Sequence, residues 1–546
     1  MTATASAAPS SRAAGATLVL LTLATGQFLM TLDSSVMNVS IATVAKDVGT
    51  TVTGIQGAIT AYTLVMAALM ITGAKIGALI GRKRAFTVGC VIYGAGSFTT
   101  SLAPSLPVLL FGWSFLEGVG AALILPAIVA LVAGNFPVAR RPAAYGLVAA
   151  AGAIAVAVGP LIGGFCTTYF SWRWVFAGEV VLVAVILVLA RKIADAPTET
   201  RPKFDLVGAV LSALGLALLV FGVLRTSEWG WIQPKPDGPS WGGVSPSIWL
   251  MLAGLFVIWL FFRWQARVES HGGEPLLRPD LLRNHQLSGG LVMFFFQYLM
   301  QAGLFFVVPL FLSVCLGLSA LATGARLLPL SLTLLAAAIG IPRFWPNASP
   351  RLVVRCGLLA LLAGTCVLLV ALDPDAGPEI VFVPMLLIGL GVGALASQLG
   401  AVTVSAVPDE RSPEVGGVQN TMTNLGASIG TALAGSIMIG AVTAAFLTNI
   451  QHSSAIPDRV KSDAQVELAG GVPFVSDADL EHALDEAGAS NRTTSAALDA
   501  YRDARLDGLR AALAILALAA LVGLFAAQCI PTRQPGHPDG VITPPA

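Results

Sequence analysis

The sequence predicts an all-α polytopic membrane protein with about fourteen transmembrane helices. Two observations lead to this prediction. Hydrophobic residues make up 55% of the chain and charged residues only 11%, whereas a soluble globular chain carries roughly a quarter charged residues. The apolar residues also fall into about fourteen long runs, each close to the ~20 residues that a spanning helix needs. Lipid is therefore the expected solvent for most of this chain.

The apolar runs give the order of the helices along the chain. The fourteen predicted helices lie near residues 15–45, 52–78, 85–104, 106–134, 143–169, 173–191, 207–225, 247–266, 287–315, 321–342, 352–372, 378–406, 413–447 and 507–530. Most connections are short, with two exceptions. The connection around Ser227–Ser245 is rich in tryptophan, a residue typical of membrane interfaces. The connection at 451–505 is mostly acidic, which predicts a solvated, partly helical loop.

Basic residues in the short loops predict the orientation in the membrane. Lysine and arginine concentrate on the cytoplasmic side of membrane proteins. If the N-terminus lies inside, the even-numbered connections carry most of them, such as Arg82–Arg84, whereas the first connection carries only Lys46. We therefore expect a multi-pass protein of the plasma (inner) membrane with both termini cytoplasmic and the 451–505 loop outside.

Composition argues against several other classes of protein. The formal net charge of +1 gives no reason to expect a nucleic-acid partner. The six cysteines are scattered without any Cys-x-x-Cys spacing, and the five histidines fall in predicted loops or tails, so no metal site is expected. The glycines of Gly389–Gly393 lie inside an apolar run without a preceding strand, which argues against a nucleotide loop. No cofactor is expected.

The first predicted helix carries an aspartate, Asp33, near its centre. A charged residue at the middle of a spanning helix costs about 2.5–3.5 kcal/mol on insertion scales, so Asp33 should face protein or water. Intramembrane acids usually mark ion or substrate paths. The alternative is a hydrogen bond to a neighbouring helix that serves packing alone.

A second acid, Glu117, lies at a similar predicted depth in the fourth helix. Both acids are about 17 Å from the outer face at 1.5 Å of rise per residue. Two carboxylates that share a site can share a proton, so Asp33 and Glu117 form the predicted proton-coupling site; the alternative is two unrelated buried acids. Glu179 is a possible additional acid, although it lies only six positions after Arg173 and could instead contact interfacial water.

The fifth helix combines small residues with a proline. Glycine lets helices approach closely and proline bends the helix axis. The thirteenth helix is also rich in glycine, and each is the fifth in a block of six if helices 7 and 8 are an insert, which indicates two pseudo-symmetric halves. The predicted gating motif of the fifth helix consists of Gly152, Gly159, Pro160, Gly163 and Gly164.

Five segments in order along the chain carry a family resemblance: Leu32–Ser40, Lys75–Arg84, Glu117–Ala122 with Pro126, Gly152–Gly164 and Ser171–Phe176. Together they resemble the fourteen-helix drug:proton antiporters of the major facilitator superfamily. The resemblance implies the major facilitator fold, with two six-helix bundles plus two inserted helices, alternating access, and proton-driven efflux of amphipathic compounds.

The chain departs from this family at two motifs. The family's loop between helices 2 and 3 carries an aspartate and an arginine where this chain has Ala78 and Leu79, so that Gly81, Arg82, Lys83 and Arg84 are the remnant of the motif. The family's fourth helix carries an arginine and usually a glutamine at the positions of Ser114 and Glu117. That arginine would pair with acids such as Asp33, and Glu117 could substitute as the titrating group.

We expect five regions along the chain. They are a cytoplasmic tail (1–14), a first six-helix bundle (15–195), two inserted helices with linkers (196–286), a second six-helix bundle including the outer loop (287–530), and a cytoplasmic tail (531–546). Between the bundles we expect a mostly apolar cavity. Its polar lining would include Asp33 and Glu117 with the amides Asn38, Gln297, Gln301, Gln398, Asn420 and Asn424. Hydrogen bonding between helices is an equal alternative role for each amide.

The predicted function is secondary active export of small hydrophobic or amphipathic compounds, with proton antiport as the driving reaction. Its partners would be the substrate, protons and the bilayer, and the protein would be monomeric. An uncoupled facilitator or an importer of a small metabolite is the alternative. A membrane-embedded enzyme would need acid/base or metal-ligand clusters at the membrane surface, and the sequence shows none. A non-transporting sensor or scaffold is a remote alternative.

Overall fold

The structure is a computed structural model. It describes residues 9–137, 140–195, 204–235, 238–373, 376–407, 412–453, 456–457, 461, 464, 468, 472–486 and 489–533. The ends of both predicted tails, 1–8 and 534–546, lie outside the described residues, as do several residues of the predicted 451–505 loop.

Fourteen long helices, α1 to α14, follow one another in the described part of the chain. Their bounds are Pro9–Asp47, Val52–Ile80, Arg82–Ser101, Leu106–Asn135, Arg141–Tyr169, Arg173–Ala190, Leu206–Leu224, Pro246–Ser270, His285–Cys315, Ala320–Phe344, Pro350–Ala371, Pro378–Val404, Ser412–His452 and Asn491–Ala526. Two of them contain a π-helical stretch, at Leu110–Glu117 in α4 and at Phe311–Cys315 in α9. A shorter helix, Asp477–Glu486, lies between α13 and α14.

Thirteen of the described helices are long and apolar enough to cross a membrane. The remaining helix, α3, has 20 residues but contains many Gly, Ser and Thr residues, which lower its hydropathy. It packs against α4 and α6 inside the bundle. The described chain therefore has fourteen long helices, of which thirteen meet the length and hydropathy of a membrane span and α3 does not.

The largest error in the predicted boundaries lies at the last helix. Asn491 begins α14, well before the predicted start near residue 507, and α13 continues to His452. The Ser490 side chain caps α14 by accepting a hydrogen bond from the Thr493 backbone N–H. Arg505 is buried, donates to the Val475 carbonyl oxygen at 2.8 Å and pairs with Asp477. The sequence predicted a loop for the first, polar turns of α14, because the contacts that stabilise them as a helix come from residues distant in the chain.

Helices α5 and α13, the two glycine-rich helices, lie between the two sets of six helices. Helix α5 packs on α1 and α10, and α13 packs on α2, α9 and α14. A Cβ atom at Gly164 would lie 2.5 Å from the Ala320 carbonyl oxygen, and one at Gly324 would lie 2.2 Å from the Pro160 carbonyl oxygen. Only glycine allows backbones to approach this closely.

The two inserted helices, α7 and α8, pack on each other, and α7 also packs on α2 and α13. A buried amide, Gln265, connects them to the segment that follows. Its Nε2 donates to Asp205 Oδ2 at 2.8 Å, and its Oε1 accepts from the Leu276 backbone N–H at 2.7 Å. Asp205 also caps α7 by accepting from the Gly208 backbone N–H. This polar network fixes the insert against the linker to α9.

We expect Gly430→Ala in α13 to destabilise the protein. A Cβ atom at this position would lie 2.1 Å from the Leu299 carbonyl oxygen of α9, and such overpacking typically costs about 1–3 kcal/mol. Thermal unfolding in detergent should show a lower midpoint. Gly440→Ala in the same helix is the control, because a Cβ there meets no atom within 4 Å. Equal midpoints for the two variants would contradict this view of the α9–α13 contact.

Candidate functional site

Three acidic residues from α1, α4 and α6 meet in one buried cluster, here called the acidic cluster: Asp33, Glu117 and Glu179. Their side chains are at most 2% exposed. One carboxylate oxygen from each lies within 4.8 Å of those of the other two. Among the described residues, no lysine, arginine or histidine forms an ion pair with any of them.

A neutral donor from α4 holds the carboxylate of Asp33. The indole N–H of Trp113 donates to both Asp33 oxygens, at 2.8 and 3.0 Å. Trp113 is 1% exposed and stacks on Tyr62 of α2, with ring centroids 5.1 Å apart and an interplanar angle of 13°. The orientation of the donor is therefore fixed by packing.

The other two carboxyl groups contact residues of α3. Tyr93 and Ser97 donate to Glu179 Oε2 at 3.3 and 3.1 Å. The hydroxyl of Thr100 lies 3.2 Å from Glu117 Oε1. All the groups that bond to the cluster are neutral, so they orient the carboxyl groups without neutralising them.

Each glutamate keeps one buried oxygen without a hydrogen-bond partner among the described residues: Glu117 Oε2 and Glu179 Oε1. A buried charged oxygen without a donor is costly, and carboxyl groups at this separation cannot all be ionised together. A proton on a carboxyl group supplies both the neutralisation and the missing donor. The arrangement can therefore bind protons.

The same three oxygens are close enough to one another to hold a metal ion, although the sequence predicted no metal site. Their surroundings favour protons, because the indole of Trp113 and the hydroxyls of Tyr93 and Ser97 already point hydrogen atoms at the carboxylates. A metal ion would have to compete with these donors for the same lone pairs.

Local backbone geometry brings these side chains together. Trp113, Ser114 and Glu117 all lie in the π-helical stretch of α4, a feature that often marks functional sites. Gly96 lets α3 approach, since a Cβ there would lie 2.6 Å from Glu117 Cγ. Ser114 donates to the Ala58 carbonyl oxygen at 2.8 Å and so joins α4 to α2.

The structure places Asp33 and Glu117 together, as their similar predicted depth suggested. Glu179, the possible additional acid, is buried in the acidic cluster, so the alternative of contact with interfacial water does not hold. Sequence reasoning missed Trp113, although it lies four residues before Glu117 and so on the same helix face. The α3 hydroxyls carried no recognisable signal.

The predicted cavity amides do not form one polar group. Asn38 and Asn424 bond to backbone carbonyls four residues earlier in their own helices. Gln297 is buried, and its Oε1 has no partner among the described residues. The other three differ in burial: Gln398 is buried and donates to Ser397, whereas Gln301 and Asn420 are half-buried.

Comparison with known proteins identifies the family. Residues 23–431, most of the chain, match the model of the Major Facilitator Superfamily. The chain belongs to the major facilitator superfamily. It is thus a multi-pass membrane transporter, and in this facilitator the acidic cluster lies within the first six helices.

Individual members of the family can also be compared with this chain. This facilitator is 30% identical to a probable actinorhodin transporter of Streptomyces coelicolor, over 80% of this chain and 74% of the relative. It is also 30% identical to the puromycin resistance protein of Streptomyces alboniger, over 80% and 84% of the two chains. A tetracenomycin C resistance and export protein of Streptomyces glaucescens is 28% identical over 78% and 76%.

Solved structures agree on the fold. A bacterial homologue of the human lysosomal transporter Spinster, in an inward-facing conformation, superposes with a TM-score of 0.57 at 15% identity, covering 96% of this facilitator and 98% of that chain. The human organic anion transporter MFSD10 gives a TM-score of 0.55 at 14% identity, with 96% and 100% covered. These likenesses show the facilitator fold alone.

In this facilitator, the glycine motif of α5 packs against the first helix, α1. A Cβ at Gly159 would lie 2.5 Å from Ser35 Cβ, and one at Gly163 would lie 2.9 Å from Val36 Cα. At Gly152 the contact is looser, 3.5 Å from Gln27 Cγ. The motif therefore allows α5 to pack directly on the helix that carries Asp33.

The remnant of the loop 2–3 motif is anchored to the end of α6. Gly81 has a φ of +100°, which favours glycine. Asp195 accepts from the Lys83 backbone N–H at 3.0 Å, and Lys83 Nζ donates to the Arg191 carbonyl oxygen at 3.1 Å. Arg84 is exposed.

A cavity of about 390 Å³ lies beside this loop, where α2, α13 and the linker after α8 meet. Ala78, at the position of the family's aspartate, lines it together with Arg82. At its edge Lys75 pairs with Glu274 of the linker at 3.2 Å. The linker thus supplies an acidic partner to α2 from outside the motif.

Proposed function

We propose that this transporter exports small hydrophobic or amphipathic compounds by proton antiport, with Asp33, Glu117 and Glu179 as its proton-coupling site. The acidic cluster is the observation that carries the proposal. Its three carboxyl groups come from three different helices, are buried, and have no cationic partner among the described residues. A change in protonation therefore acts on the contacts of α1, α4 and α6 at once.

Export is supported by the relatives. Three of them, each covered over most of its length, are named for transport of actinorhodin, resistance to puromycin, and resistance to and export of tetracenomycin C. A pocket for such compounds needs mostly apolar walls with a few polar groups. We assign part of that lining to the amides Asn38, Gln297, Gln301, Gln398, Asn420 and Asn424.

Proton coupling follows from the cost of buried charge. Three ionised carboxylates in a space that lipid and helices shield from water would repel one another strongly. Protons taken up from one side relieve this repulsion, and their release on the other side restores it. Alternating access supplies the change of side, and we assign the α5 motif, with Gly152, Gly159, Pro160, Gly163 and Gly164, to the gating contact between α5 and its neighbours.

An uncoupled facilitator is the second candidate function. Ala78 and Ser114 favour it, because they stand where the family carries charged residues. Counterflow of a labelled compound without a pH gradient is expected of both, and concentration of the compound by an imposed pH gradient separates them. An uncoupled facilitator would exchange the labelled compound but would never concentrate it when a pH gradient is imposed.

We expect Asp33→Asn to abolish gradient-driven efflux and Glu117→Gln to reduce it strongly, with Glu179→Gln weakening it as well. Each change keeps the shape of the side chain and removes a proton-binding group. An antibiotic resistance panel in a pump-deficient host identifies a substrate, and its efflux is then measured in proteoliposomes with an imposed pH gradient. The gradient dependence should disappear while counterflow persists.

Asp47→Asn is the matched control. Asp47 also lies on α1, but it bonds to Trp172 and Arg173 at the end of the helix, away from the acidic cluster. It should retain gradient-driven efflux. Full pH-dependent transport in all three cluster variants would place the coupling site elsewhere.

We also propose that the protein is a monomer in the plasma membrane, with both termini in the cytoplasm and the α13–α14 connection outside. In a cysteine-free background, Ala483→Cys, on the exposed face of Asp477–Glu486, should react with an impermeant maleimide on intact cells. Arg84→Cys, in the exposed loop 2–3 motif, is the control and should react only after permeabilisation. The reverse pattern would invert the topology.

A further inference from the structure

Trp113 is the residue that contacts the acidic cluster most directly without carrying a titratable group of its own. Its N–H reaches both oxygens of one carboxylate, on a different helix, at 2.8 and 3.0 Å. A donor placed between two carboxylate oxygens fits the ionised group, in which both oxygens accept. Once one oxygen carries a proton, only the other accepts at full strength.

We propose that Trp113 is a positioning residue for coupling: its indole N–H binds the ionised carboxylate of Asp33 and thereby holds α1 against α4 until Asp33 takes up a proton. The proposal rests on the proton coupling proposed above. It adds a specific contact through which protonation changes the fit between two helices. Neutralising Asp33 would then weaken this bond between α1 and α4 as well as relieve the repulsion among the three acids.

The residue next to Trp113, Ser114, explains why an indole rather than a cation binds the carboxylate of Asp33. Ser114 stands where the resembled family carries an arginine, and its hydroxyl is directed to the Ala58 carbonyl oxygen of α2. A guanidinium beside Asp33 would favour the ionised carboxylate more strongly than a neutral donor does. A neutral N–H bond stabilises the anion less, so that Asp33 can alternate between its two protonation states during transport.

The two acids that face Asp33 act against its ionisation, and the other neighbours are neutral. Glu117 from α4 and Glu179 from α6 approach it as acids, and the phenols of Tyr62 from α2 and Tyr93 from α3 are buried beside the cluster. Among the described residues no cation pairs with this group of side chains. The indole N–H of Trp113 therefore offsets part of this repulsion by donating to both Asp33 oxygens.

The π-helical stretch of α4 links this donor to the second acid. Trp113 and Glu117 both lie within Leu110–Glu117, one turn apart on the buried side of the helix. A movement of this stretch changes the donor to Asp33 and the position of Glu117 together. One turn of α4 thus carries both a proton-binding group, Glu117, and the N–H of Trp113 that binds the carboxylate of Asp33.

Trp113→Phe tests the proposal, because phenylalanine keeps an aromatic ring against Tyr62 and removes the N–H. A hydrogen bond to a charged group is worth enough to displace a titration by about one pH unit. We expect the pH of half-maximal gradient-driven efflux to rise by about one unit. Infrared difference spectra of the purified protein should show the same displacement in the titration of a carboxyl band.

Trp172→Phe is the matched control. Trp172 is also fully buried, and its indole donates to Asp47 Oδ2 at 3.0 Å. The control loses the same kind of bond outside the acidic cluster, so its pH profile should be that of the wild type. Tyr62→Leu, which keeps the indole but removes the ring that orients it, should raise the half-maximal pH by a smaller amount.

The outcomes separate this proposal from the proposed function. If Asp33→Asn abolishes coupling while Trp113→Phe keeps the wild-type pH profile, the role of Trp113 is overturned and proton antiport stands. If Trp113→Phe does not accumulate in the membrane, Tyr62→Leu decides in the same way. If efflux by the wild type ignores the pH gradient, proton antiport itself is overturned, and with it the role of Trp113.

Discussion

Polar groups between the helices of a lipid-embedded bundle have to find their partners inside the bundle, because no water replaces them. This constraint orders much of the described structure. Gln56 of α2 donates to the Thr431 carbonyl oxygen of α13 at 3.1 Å, and Ser428 of α13 donates back to the Thr60 carbonyl oxygen at 3.0 Å. Ser114 joins α4 to α2 in the same manner. The acidic cluster meets this constraint only in part, since two of its carboxylate oxygens lack donors among the described residues.

Close approach of the helices makes these bonds possible. Serine and threonine side chains are short, so they reach a neighbouring backbone only where that backbone is near. Glycines supply the proximity at α5 with α1 and α10, at α13 with α9, and at α3 with α4. Within the acidic cluster, Gly96 brings α3 near enough for its hydroxyls to reach the carboxyl groups. The same small residues therefore allow the helices to pack closely and let polar side chains reach hydrogen-bond partners on neighbouring helices.

The proposed coupling mechanism depends on both features. Helix α1 carries Asp33, packs through the α5 motif on one side and bonds to Trp113 of α4 on the other. Helix α5 in turn contacts α10 of the second half through Gly164. A change in the protonation of Asp33 is thus connected through two packed helices to the contact between the halves, which has to rearrange in alternating access.

The sequence by itself determined the class of fold, the order of the helices and the presence of acids in α1, α4 and α6, because hydropathy and the cost of buried charge act locally along the chain. It also indicated the family, and the family model later confirmed it. Only the tertiary structure decided which polar groups meet. Trp113 of α4 donates to Asp33 of α1, and Glu179 of α6 accepts from Tyr93 and Ser97 of α3. The first turns of α14, capped by Ser490, are held by the contacts of Arg505 with Val475 and Asp477. Each of these depends on distances between residues far apart in the chain, which local patterns of hydropathy do not encode.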